Sequence, residues 1–181
     1  NKDKEGIQAD KDDIDRQVQE ITNTRDEIKK RLEEVQNNIE ELNNAISQLE
    51  VDKFNRMNDH FGELIGVLDD SNSTIKQNID LLEESGEVID DSMYVAQIEN
   101  EEQKLSLLQQ QKDALEEQLE LSVQTGYIEE NSEEWKEMSN IISEIDSTIL
   151  DCQINIEELN NAITQLEVDK FNRIADYFSK V

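Results

Sequence analysis

The chain has 181 residues, 45 of them acidic and 17 basic, for a formal net charge of −28; aromatics make up 4% and proline is absent. A surface this acidic repels phosphate backbones and anionic membranes, which argues against direct nucleic-acid binding and against membrane contact in this segment. Average usage would supply about nine prolines, and their absence suits long helices, since each interior proline costs about 3 kcal/mol.

No apolar run approaches the ~20 residues of a membrane span. Cys152 is the single cysteine, so no internal disulfide can form. The opening NKDKEGIQAD has no signal-peptide character. With no initiator methionine and a repeated phrase close to the C-terminus, the sequence reads as part of a longer chain.

In chain order, the first expected element is a long helix over residues 1–84. Ile7, Ile14, Ile21, Ile28, Val35, Leu42 and Leu49 fall seven apart, and Val18, Arg25, Leu32, Ile39 and Ile46 form a companion series. The two interleave at steps of three and four, a coiled-coil seam. Beyond it Lys53 takes the next seam position and Phe54 takes over one residue later, followed by Phe61, Leu68, Ile75 and Leu82. This shift is a stutter, which locally unwinds a left-handed supercoil. Ser71 and Asn78 in seam positions beside DDSNS mark residue 70 as the place where this helix would break.

A turn is expected over 85–92, where Gly86 suits a left-handed C-cap and Ser92 an N-cap. A returning helix over 93–124 carries Ile98, Leu105, Lys112 and Leu119, interleaved with Tyr94, Leu108 and Leu115. A second turn over 125–131 repeats the chemistry with Gly126 and Ser132. The last helix, 132–181, has Met138, Ile145, Cys152, Leu159 and Leu166 in one series and Trp135, Ile142, Ile149, Ile156 and Ile163 in the other. Lys170 and Phe171 repeat the stutter.

The repetition is nearly literal. Residues 38–57 read NIEELNNAISQLEVDKFNRM and residues 155–174 read NIEELNNAITQLEVDKFNRI, a period of 117 residues. A long internal period is the mark of an array whose units pack on their neighbours. The expected fold is all-α: long amphipathic helices joined by antiparallel hairpins into an elongated three-helix bundle, chained by the repeat as in spectrin-like arrays. If the hairpins open, the same seams would form one extended coiled coil, and isoleucine in both series then leans toward trimers.

The residues offer little to a chemist. Adjacent acidic pairs such as Glu40 and Glu41 point about 100° apart on a helix and do not converge on a metal or substrate. His60 is the only histidine, which leaves no constellation for nucleophilic catalysis. Residues 69–73 lack the glycine and distal glutamate of a calcium loop. No catalytic, cofactor or metal site is expected, and the expected role is not enzymatic. Cys152 and Trp135 read as seam residues. Lys53 and Lys170 read as register-setting positions, or as stems that snorkel to water.

The stretch from Gly126 to Ile174 resembles the helical repeats of tail tape measure proteins from phages and prophages of Gram-positive bacteria. The resemblance lies in Gly126-x-Ile128 before the turn, Ser132-Glu133-Glu134-Trp135 at the helix start, and Asp169-Lys170-Phe171. The first copy keeps Asp52-Lys53-Phe54 but has Val18 where the second has Trp135. The resemblance implies a structural virion protein that sets tail-tube length and is expelled before DNA. Its implied partners are further copies of itself through helices, together with tail-tube or chaperone proteins. Its implied place is the tail lumen, after assembly in the bacterial cytoplasm. A cellular coiled-coil spacer and a helical interaction module are the competing readings.

Overall fold

The computed structural model describes residues 2–179, with side chains from residue 3. It holds three helices, α1 (Lys2–Ser85), α2 (Asp91–Gln124) and α3 (Glu133–Ser179), and no strand among the described residues. The chain divides into two compact units, Asn1–Gln48 and Leu49–Val181. None of the described helices is long and apolar enough to cross a membrane.

The second unit is a three-helix bundle. Along the α1–α2 interface Glu50 meets Gln118, Asn58 meets Gln111 and Asn72 meets Gln97, so rising numbers in α1 meet falling ones in α2. Lys112 bonds Asp146 and Cys152 bonds Glu101, which sets α2 and α3 antiparallel as well. Phe54, Ile65, Leu108, Leu115, Met138, Ile142, Ile145 and Cys152 form its core, with Val51, Met57, Trp135 and Ile149 packed around them.

Both connections use one motif. Gly86 and Gly126 adopt φ of 71° and 75°, where a side chain would be strained. Glu87 N–H donates to Leu82 O and Gly86 N–H to Glu83 O; Tyr127 and Gly126 donate likewise to Ser122 and Val123. This is the Schellman arrangement, which satisfies the last free carbonyls of a helix. Ser132 Oγ accepts from Trp135 N–H at 3.2 Å and so caps α3.

At α2 the cap is not Ser92 but Asp90, whose carboxylate accepts from Ser92 N–H. That bond, aided by Asp91, holds the Asp90 carboxyl below its ordinary pKa. The helix therefore starts two residues before the expected 93. An acceptor two positions earlier caps a helix that begins two residues sooner, and a carboxylate suits the positive helix end better than a hydroxyl.

The expected break near residue 70 does not occur, and α1 continues to Ser85. Ser71, one of the two seam residues that suggested it, and Asn72 in the DDSNS run are used sideways instead. Asn100 Nδ2 donates to Ser71 Oγ and to Asn72 Oδ1, and Asn72 Nδ2 donates to Glu101 Oε1.

The first unit is a single helix, with no partner helix among the described residues. Local pairs such as Gln8–Asp12, Gln17–Asp13 and Gln19–Asn23 line its surface. Its seam stands open.

Candidate functional site

The polar and apolar groups that the structure brings together lie at its helix interfaces. Among the described residues no group of three histidine, cysteine or acidic side chains is placed to hold a metal. Two interface features stand out, one closed and one open.

The closed feature is a polar ladder. α2 lies between α1 and α3, and its buried residues include Gln97, Glu101, Gln111, Gln118 and Ser122. Gln97, Lys104, Gln111 and Gln118 fall seven apart, so the helix repeat brings them to one stripe. Each bonds α1. Gln97 Nε2 donates to Asn72 O at 3.2 Å, Lys104 Nζ to Asp69 Oδ1 at 2.7 Å, and Gln111 Nε2 to Asn58 Oδ1 at 2.8 Å. Gln118 Nε2 donates to Glu50 Oε2 at 2.5 Å, and Ser122 Oγ donates to the same oxygen at 3.1 Å. No buried side-chain nitrogen or oxygen among the described residues lacks a partner. A fully satisfied polar stripe fixes register, because any slip leaves several buried groups unpaired at about 1–3 kcal/mol each. The sequence reading missed this stripe, although its seven-residue spacing was there to see.

A mixed layer lies within the ladder, between Gln97 and Lys104. Glu101, 5% exposed, accepts from Asn72 on one side and meets Cys152 Sγ at 3.1 Å on the other. Cys152 also reaches Glu101 O at 3.0 Å. Burial, then the Glu101 carboxylate, push the thiol pKa up to about 12. Burial pulls the Lys104 ammonium downward, but its bond to Asp69 and the charges of Asp69 and Glu101 outweigh this and hold it above its ordinary value. Asp69, Asn72, Lys76, Gln97, Glu101 and Asn155 line a polar hollow of about 350 Å³ at this level.

The open feature is the seam of the first copy. Ile14, Ile21, Ile28, Leu32, Val35, Ile39, Leu42 and Leu49 are all more than half exposed, so the expectation that they pack is not met within this chain. Ile46 is half-buried. The second copy fares differently. Met138, Ile145 and Cys152 are buried, and Trp135, Ile149, Ile156, Leu159, Ile163 and Leu166 are half-buried. The cause is the neighbour, not the residue: α2 runs along the second copy's seam, whereas in the first copy it is bonded only from Glu50 onward among the described residues.

The two stutters diverge in the opposite sense. Phe54 is wholly buried and Phe61 half-buried, whereas Phe171 is 70% exposed. Lys53 and Lys170 both face solvent, so neither occupies the core, and in the first copy the buried seam resumes at Phe54. Lys170 makes an ion pair with Asp91 at 3.7 Å, which ties α3 to the start of α2.

Comparison with protein-family models, with curated proteins and with solved structures gave no match, so the functional reading rests on this geometry and on the repeat.

Proposed function

We propose that this chain is a structural segment whose product is length: one period of a helical array, acting as part of a tail tape measure. The observation that carries the reading is the fate of one phenylalanine in two nearly identical phrases. Phe54 opens the bundle and is buried in it, while Phe171, 117 residues on, closes α3 and stands exposed. Such an arrangement lets the helix that ends one bundle begin the next, as in an array.

The ruler read in this way has two lengths. Asn72, Glu101 and Cys152 share one level, which aligns residue 72 of α1 with residue 152 of α3. One 117-residue period then advances by about 37 helical residues, or roughly 55 Å, with the hairpins closed. With the hairpins open the same period spans about 175 Å. The closed form suits the free protein and the open form the packed tape. Its partners are tail-tube proteins and further copies of the chain, and its place is the tail lumen.

Deleting one whole period from the gene and measuring tails by electron microscopy tests this. Tails shorter by about 175 Å support an extended tape, and tails shorter by about 55 Å support a closed one. Tails of unchanged length reject the tape role and leave a coiled-coil spacer.

A further inference from the structure

We propose that the open seam of the first unit pairs, in the free protein, with the same segment of a second copy running in the opposite direction. Ile7, Ile14, Ile21, Ile28, Leu32 and Val35 are between 52% and 69% exposed along one face of one helix. A lone helix with such a stripe gains no tertiary packing, which is where most helical stability comes from. An exposed apolar stripe marks an association surface, and strict seven-residue spacing makes another long helix its natural occupant.

Two observations identify that helix. First, the seam runs on through Ile7 and Ile14. Their equivalents one period later are Gln124 and Asn131, at and beyond the end of α2, where the chain turns. A hairpin like the one covering α3 would therefore leave Ile7 and Ile14 bare, whereas an uninterrupted helix covers them together with Ile21, Ile28 and Leu32. Residues 2–48 of a second copy are such a helix.

Second, the charges choose the direction. Lys11 and Arg25 occupy seam positions. In a parallel, in-register pair each would face its own copy, and Asp10 of one chain would flank Asp15 of the other. Like charges so placed oppose pairing. In the antiparallel pair Ile7 sits opposite Leu32, Ile14 opposite Arg25, Val18 opposite Ile21 and Lys11 opposite Ile28. Each seam cation then lays its stem over an apolar partner, and Asp10 flanks Arg31. The acidic run at 10–15 faces the basic run at 25–31, whose Lys29, Lys30 and Arg31 make no ion pair within the described chain.

The test is light scattering for mass, together with the distance between spin labels on Gln8→Cys in the full chain. Expected are a mass about twice the 21.0 kDa of one chain and a label separation of about 35 Å, since residue 8 lies opposite residue 31. Ile21→Glu should return the protein to monomer while Trp135 fluorescence, which reports on the separate bundle, stays unchanged. A monomer at high concentration overturns the pairing, as does an Ile21→Glu variant that remains a dimer. A label separation below about 20 Å, which means parallel helices about 10 Å apart, overturns it too. That last result leaves the tape reading intact, because chains in a tube can lie in one direction.

Discussion

Glu101 and Cys152 meet at 3.1 Å across the α2–α3 interface, and Asn72 holds the other oxygen of the same carboxylate at 2.7 Å. One side chain thereby fixes the level of all three helices, and it does so next to a thiol that is itself buried.

That thiol should be inert in the folded protein. With its pKa pushed up to about 12 by burial and by Glu101, almost none is thiolate near neutral pH, and the thiolate is the reactive form. A thiol reagent at pH 8 should label Cys152 only after unfolding. The sign of the pH dependence follows from linkage. The folded state keeps a proton that the unfolded state releases near pH 9, so this contribution is whole below that pH and declines as pH rises toward 12. Urea unfolding at pH 8 and pH 10.5 should show lower stability at the higher pH, and Cys152→Ala should flatten that difference.

The polar ladder predicts a non-additive cycle. Glu50→Leu removes the α1 acceptor of Gln118 and Ser122, leaving them only their bonds to each other within α2, and should cost about 1–3 kcal/mol. Gln118→Leu combined with Ser122→Ala in the same background should recover most of it, because an apolar layer replaces an unsatisfied one. Chemical denaturation of the four variants reads out the cycle, and simple additivity would mean that the ladder does not act as a unit.

Identical side chains should have unequal worth. Phe54→Ala removes a wholly buried ring and should cost about 3–5 kcal/mol. Phe171→Ala, at the same place in the second phrase, should change stability by less than about 0.5 kcal/mol. Thermal or urea unfolding compares them directly.

The glycines should split by conformation. Gly86→Ala and Gly126→Ala force a side chain into left-handed backbone and should each destabilise by about 1–2 kcal/mol. Gly62→Ala lies inside α1, where an added methyl meets nothing within 4 Å, and should stabilise by about 0.5–1 kcal/mol. Opposite signs in circular-dichroism melts are the expected outcome.

Periodicity and turn chemistry made the helices legible. Gly86 and Gly126 announced the two turns because glycine takes that backbone at least cost; Asn131, at φ 67°, takes it too and carried no such signal. What periodicity cannot report is whether a neighbour covers a seam: Val35 and Cys152 are equivalent in the repeat, yet one is 52% exposed and the other 1%. It also favours apolar positions, so Gln97, Lys104, Gln111 and Gln118 went unread as a stripe. For the same reason Ser71, a seam residue beside Asn72, suggested a break rather than a bonded layer, since a polar residue in a seam looks like an interruption until its partner on another helix is known.

The closed bundle is the claim on which the rest depends, and one distance tests it. Fluorescent labels at Ser73→Cys and Asn155→Cys would sit on α1 and α3 around one hollow. Closed hairpins place those backbones about 10 Å apart, and energy transfer should be nearly complete. Open hairpins would separate them by about 120 Å, and the absence of transfer would contradict the account.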